Sequence, residues 1–454
     1  MTTTAKKKKY WKIPLVLIGG IGLLLLAFHF WFVHHAEGII EEMVRRESNG
    51  KVELRVKNFK FNWFSNKMEL EQATFFTTDS ISPTSYLFAV KKIKMQVQSV
   101  WPLLMDKRFL IDSLQLYDPD ISVTRREAIQ RSDSDTSSSL SIPQEMGRIY
   151  NSIQDALQAL QVDRFQIHNG SFSLYNKARP SDIPVRISRI DLELDNLRID
   201  STSPNAEQKI LFSDNVALET HQQDILFPDG RHRLAFRDFR INLQNRLVEF
   251  DSCTIEASRG DSSANSFRIF FDKLQMTNID FDTLYHAEII KADSVYAFNP
   301  RIQLNVELPE NSPVAPPRLD ELLQQLTGEL DIDFVVVENG SFDINTTRSG
   351  RPTSFTSTDN NFSIQGLRVQ NDEDRPVSIE KFEMAIRNYE NFIRDSAYSI
   401  QFDSIIVNDN RISLSNFSYS ELEPGRRYNQ LRMRQLELYG LSWDDLVFDK
   451  KTSC

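Results

Sequence analysis

The sequence predicts a mainly β protein. A membrane-crossing helix at the N-terminus leads into a curved antiparallel sheet of repeated units, groove-like or taco-like, with one short amphipathic helix per unit. Three observations carry this. One is an apolar run near the N-terminus. Another is apolar–polar alternation from about residue 51 onward, the mark of strands with one buried face. The third is repetition: Leu160 to Phe172 and Leu330 to Phe342 place apolar residues at the same alternate positions, and both end in Asn-Gly-Ser-Phe. Repeats this far apart are copies of one large supersecondary unit.

The chain opens on Lys6, Lys7, Lys8, Lys9 and Lys12. Ile13 to Val33 then contains no Asp, Glu, Lys or Arg, long enough as a helix to cross a hydrocarbon core of roughly 30 Å. Trp11 and Trp31 flank it where amphipathic rings favour the headgroup layer, and the lysines set the N-terminus on the cytoplasmic side. A cleaved signal peptide would have a shorter apolar core and a small-x-small site. Phe32-Val33-His34-His35-Ala36-Glu37 is a poor one, so an uncleaved anchor is expected. His29 near the outer end of the span suits snorkelling.

The whole chain carries a net charge of −10, and five lysines precede the span, so the body is more acidic still. That argues against nucleic acid as a partner. With only 2 Cys, Cys253 and Cys454, the body does not rest on a disulfide framework, and Cys253 in its apolar alternation reads as a small core residue. Only 15 Gly occur against 31 Phe, and no glycine-rich phosphate loop is present.

A hairpin pattern recurs. Phe59, Phe61 and Trp63 turn at Ser65-Asn66 into Met68 and Leu70; Phe239 and Ile241 turn at Asn245-Arg246 into Val248 and Phe250; Ile405 and Val407 turn at Asn408-Asp409-Asn410 into Ile412 and Leu414. A second landmark follows each hairpin: Trp101-Pro102-Leu103-Leu104, Phe281-Asp282-Thr283-Leu284, and Trp443-Asp444-Asp445-Leu446. In the first two copies a strand ending in Asp118-Pro119 or Asn299-Pro300 comes next, where x-Pro suits a sheet edge or exit. Amphipathic helices are expected from Pro143 to Leu160 and from Pro317 to Leu326, each feeding an Asn-Gly-Ser-Phe strand.

The predicted organisation is a basic tail (1–12), a transmembrane helix (13–33), a juxtamembrane helix (34–49), two β units (50–228 and 229–393) and an incomplete third (394–454). The third unit is either a natural cap or the start of a longer repeat array, and the apolar strand edge it would leave favours the array.

No His-Glu-x-x-His, Cys-x-x-Cys, Gly-x-Ser-x-Gly or Gly-x-x-x-x-Gly-Lys occurs, so the sequence offers no catalytic, metal or cofactor site and is read as non-enzymatic. Ser132 to Asp135 lacks the glycine and glutamate of a calcium loop and reads as a linker. Asp331 and Asp333 share one outward strand face, and Asp444-Asp445 fits a turn. Asn169, Asn339, Asn345, Asn361 and Asn416 match glycosylation acceptors, but Asn-Gly at the first two suits a tight turn with positive φ.

Taken together, the anchor, the β repeats, the strand Ile111-Asp-Ser-Leu-x-Leu-x-Asp-Pro-x-Ile-x-Val123 and the Asn-Gly-Ser-Phe strands resemble the AsmA-like family of bacterial envelope proteins. The similarity covers most of the chain after the anchor, through patterns rather than catalytic signatures. It implies an inner-membrane helix and a periplasmic body of long curved sheet enclosing an apolar groove. It also implies a role in outer-membrane biogenesis by handling or transferring phospholipid, with membrane lipid and envelope proteins as partners. On that reading Phe61, Phe172, Leu174, Ile241, Phe342, Ile344 and Val407 line the groove against acyl chains. An alternative is an anchored scaffold whose repeats close on an ordinary core and present a polar surface to protein partners.

Overall fold

A computed structural model describes residues 52–62, 65–77, 84–97, 111–125, 161–177, 183–198, 213–227, 230–258, 265–287, 289–308, 329–348, 351–370, 377–393, 397–408, 410–423 and 426–440, with separate positions between 30 and 45. The expected span, with Trp11, Ile13, Trp31 and Val33, falls outside them apart from Phe30. So do both expected amphipathic helices and the Trp443 landmark. Among the described residues no helix is long and apolar enough to cross a membrane.

The body is one mixed sheet of 20 strands. These are β1 (Val52–Arg55), β2 (Asn58–Asn62), β3 (Lys67–Thr77), β4 (Thr84–Val97), β5 (Ile111–Arg125), β6 (Gln161–Asn176), β7 (Val185–Arg198), β8 (Asn215–Leu226), β9 (His232–Asn242) and β10 (Leu247–Ser258). After β11 (Asn265–Thr277) comes one short helix, α1 (Phe281–Ala287). The remainder are β12 (Ile290–Phe298), β13 (Arg301–Leu308), β14 (Leu330–Arg348), β15 (Arg351–Val369), β16 (Val377–Ser378), β17 (Lys381–Ile393), β18 (Tyr398–Asn408), β19 (Arg411–Glu423) and β20 (Arg426–Tyr439). Each strand pairs with its sequence neighbour, while β1 and β2, β12 and β13, and β16 and β17 share lanes.

The sheet is not wholly antiparallel as expected. β5 pairs parallel with β6, and β12 and β13 pair parallel with β14. Parallel neighbours need a crossover of a dozen or more residues. The chain supplies 126–160 and 309–329 at these two junctions, the segments where the amphipathic helices are expected.

The repeat is visible in three dimensions. Asn169 in β6 and Asn339 in β14 both adopt φ 54°. Neither sits in a turn: the ladder shifts register around Gly170 and Gly340 in mid-strand, so both are β-bulges. Asp118-Pro119 and Asn299-Pro300 lie beside them in the adjacent lane, flanked on both sides, and are not edges or exits. Proline is tolerated there because a bulge interrupts the ladder.

These bulges belong to a line of left-handed residues that crosses the sheet. Gln72, Asp118, Asn169, Arg189, Gln222 and Ser252 carry positive φ in β3, β5, β6, β7, β8 and β10. Asn299 between β12 and β13, Asn339 in β14, Asp359 in β15, Asn388 in β17 and Asn416 in β19 continue it. A bulge bends its strand and increases its twist, and the left-handed residues aligned lane after lane mark a crease across the sheet.

The side-chain alternation moves on by one residue along this line. The inward residues step by three there, as from Leu70 to Ala73, Phe236 to Phe239, Phe250 to Cys253 and Phe402 to Ile405. One face of the sheet therefore stays apolar on both sides of the crease.

That face builds three buried clusters. The first joins Leu54, Met68, Leu114, Phe165 and Leu194 in the early lanes with Ile40, from the helical residues ahead of β1. Glu41 beside it accepts the Val56 N–H at 3.1 Å. The second gathers Val123, Phe172, Ile187, Phe236 and Cys253, with Phe281 and Leu284 of α1 packed against it. The third is smaller, around Val295, Ile332, Leu367 and Val369.

Phe281 to Leu284, expected only as a landmark, opens α1. The Asp280 carboxylate caps it, accepting the Thr283 N–H at 3.1 Å and its hydroxyl at 2.8 Å, and these bonds hold the carboxyl below its ordinary range.

Candidate functional site

The seven residues assigned to a groove all lie on the apolar face, but they divide by burial. Phe61 (8 % exposed) and Phe172 (1 %) belong to closed clusters, and Leu174 and Ile241 pack against the second of these. Val407 is buried. Phe342 and Ile344 are half-buried. Phe61 and Phe172 are thus buried among protein side chains, whereas Phe342 and Ile344 keep part of their surface open.

On the side of the crease where β13 lies, the apolar face from β13 to β20 carries none of the residues of the three buried clusters. Ile302 opposes Phe342 and Phe342 opposes Ser357. Tyr389 opposes Phe402, and Phe417 opposes Met433. These residues run as a transverse row beside the crease, and all but Ser357 are half-buried. The Tyr389 and Phe402 rings stack at 4.4 Å with planes 8° apart, and Phe342 lies 6.5 Å from Tyr389 across the small Ser357. Farther out, Leu431 (56 %) and Leu438 (41 %) on β20 are exposed. Apolar side chains left half-exposed in sequence on one face form a surface for an apolar ligand or partner.

Buried polar side chains sit on this face at the crease, where the left-handed residues interrupt the ladder. Gln223 and Thr220 answer this in β8. The Gln223 amide accepts the Ser188 N–H at 3.1 Å and donates to the Ser188 carbonyl, which Thr220 also reaches at 3.0 Å. Ser357 and Asn360 repeat the arrangement in β15: the Ser357 hydroxyl lies 2.7 Å from both Asn360 Oδ1 and the Arg387 carbonyl. In both, the two side chains are three apart because of the bulge. Asn391 is buried near the aromatic row with its Oδ1 unpartnered, and burial holds the Tyr389 phenol above its ordinary value against a hydrogen bond to Asn391.

The opposite face is polar and knit by cross-strand ion pairs. Glu249 is bracketed by Arg240 at 2.9 Å and Lys273 at 2.7 Å. Asp331 meets Arg368 at 3.3 Å, in keeping with an outward structural role. A shallow depression of about 450 Å³ lies among Arg233, Glu256, Arg268, Phe270 and Arg301. Its cations are already engaged, Arg233 and Arg268 by Glu256 and Arg301 over the Phe270 ring. Among the described residues no group of three His, Cys, Asp or Glu is placed to hold a metal.

Sequence reasoning missed the crease and the divide between closed and open lanes. The three-residue steps in the apolar alternation are the signal that marks the first. No protein-family model matches the chain, and no curated protein matches it in sequence.

Proposed function

We propose that this chain is an N-terminally anchored envelope protein whose body handles phospholipid, with acyl chains lying on the open apolar face from β13 to β20. The anchor reading rests on the uncharged run from Ile13 to Val33 behind its lysines, and the periplasmic placement and the role in outer-membrane biogenesis rest on the resemblance to AsmA-like proteins. One observation supports the lipid reading: the row Ile302, Phe342, Tyr389, Phe402, Phe417 and Met433 is half-buried and belongs to none of the buried clusters, whereas the half-buried apolar residues of the early lanes pack against them. A creased sheet with one apolar side is a trough, and an acyl chain is an occupant that makes no polar demand on it. A scaffold with a closed β core is the second reading, and the early clusters favour it for those lanes alone.

The test is lipid extraction. The body begun at Gly38, which keeps Ile40 in the core, is purified without detergent and its organic extract analysed. Phospholipid is expected to copurify, and Phe342→Arg is expected to strip it while leaving the melting temperature within a few degrees. A lipid-free body, or lipid unaffected by Phe342→Arg, sinks the reading.

A further inference from the structure

The polar face of this sheet is matched lane to lane by opposite charges. Lys92 on β4 meets Glu69 on β3 at 2.7 Å, Arg233 on β9 meets Glu256 on β10 at 3.0 Å, and Arg411 on β19 meets Glu437 on β20. The last strand also carries two cations outside such pairs. On β20, Arg432 lies opposite Ser418, and Arg434 falls beside Asn416 between the pairs Met433–Phe417 and Gln435–Ser415. Both arginines are exposed, and among the described residues neither makes an ion pair. Their other side is the sheet edge, since β20 pairs only with β19 among the described residues. The apolar face of the same strand ends in exposed Leu431 and Leu438.

We propose that the β20 edge is a docking site for an extended segment of a partner protein in which acidic and apolar residues alternate. Backbone N–H and C=O groups along the edge would pair with it by strand addition. Its acidic side chains meet Arg432 and Arg434, and its apolar ones extend the surface at Leu431 and Leu438. A second copy of this chain is a poor occupant. Two β20 edges would set arginine against arginine, and on the opposite edge the Glu71 carboxylate is already held by Lys60 at 2.6 Å. The inference holds whether or not the apolar face carries lipid.

The test uses the full chain in detergent micelles and two labelled twelve-residue probes, one alternating Val with Glu and one alternating Val with Lys. The Glu probe is expected to bind at least tenfold more tightly and to slow amide hydrogen exchange along 430–438. The double variant Arg432→Glu/Arg434→Glu, altered only at exposed positions, is expected to reverse the preference. Equal binding of both probes, binding without protection of β20, or no binding overturns the proposal, as does a chain that instead dimerises through β20.

Discussion

Asn169 donates its side-chain amide to the Asp118 carboxylate across 2.6 Å, tying together two residues that are both left-handed, in adjacent parallel strands. Lys91 approaches the same carboxylate from the third lane at 3.2 Å. The Asn169 bond and then Lys91 hold the Asp118 carboxyl below its ordinary range. A depressed carboxyl contributes stability above its unfolded pKa of about 3.9 and loses it as pH falls through the lower folded value. Asp118→Asn keeps a residue that tolerates positive φ and removes only the charge. It is expected to destabilise by under about 1 kcal/mol, as exposed pairs do. In urea melts the gap from the unaltered chain should hold from pH 7 to about 4 and close below that. A gap independent of pH would mean that the charge is irrelevant.

At the bulge itself, Asn and Gly have separate tasks. Asn339 supplies the left-handed residue, which costs most L-amino acids roughly 1–2 kcal/mol. Gly340 permits close approach: a Cβ there would lie 3.3 Å from the Asn360 carbonyl oxygen and 3.4 Å from Pro300 Cγ. Gly340→Ala is therefore expected to cost about 1–3 kcal/mol as overpacking does. Gly38→Ala, with nothing within 4 Å, should be silent. Denaturant midpoints of the two variants decide it, and equal midpoints would contradict the close-approach account.

Much of this was legible in the residues. Repeated Asn-Gly-Ser-Phe marks equivalent strands, and the long stretch ahead of each copy leaves the dozen or more residues that a parallel crossover requires. The bulge was not read because Asn-Gly satisfies positive φ equally well in a turn, and the neighbouring lane that fixes the choice lies about fifty residues away at Asp118 or forty at Asn299. Burial is less legible still. Phe172 and Phe342 end the same four-residue motif, yet one is 1 % exposed and the other half-buried. What covers a strand is decided by non-local packing, which no local pattern encodes.

That pair gives a direct comparison. Phe172→Ala removes a ring from a closed cluster and is expected to cost about 3–5 kcal/mol, whereas Phe342→Ala should cost less than half as much. Equal losses measured by urea unfolding would mean that the later lanes are as tightly covered as the early ones, and would weaken the open-face reading with them.

Cys253 offers a probe of the crease from within. It follows the left-handed Ser252 in β10, and its side chain turns into the second cluster, 2 % exposed. Burial pushes its thiol up to about 12, so almost no thiolate exists at pH 8 and attack on an electrophile is slow for want of both nucleophile and access. Iodoacetamide treatment followed by peptide mapping should leave Cys253 unmodified in the folded chain and fully alkylated in denaturant. Phe236→Ala, which opens the same cluster, should raise the native labelling rate through more frequent local opening. If Cys253 labels as fast as a free thiol in the unaltered folded chain, the second cluster is not closed, and the division between closed and open lanes moves toward the N-terminus.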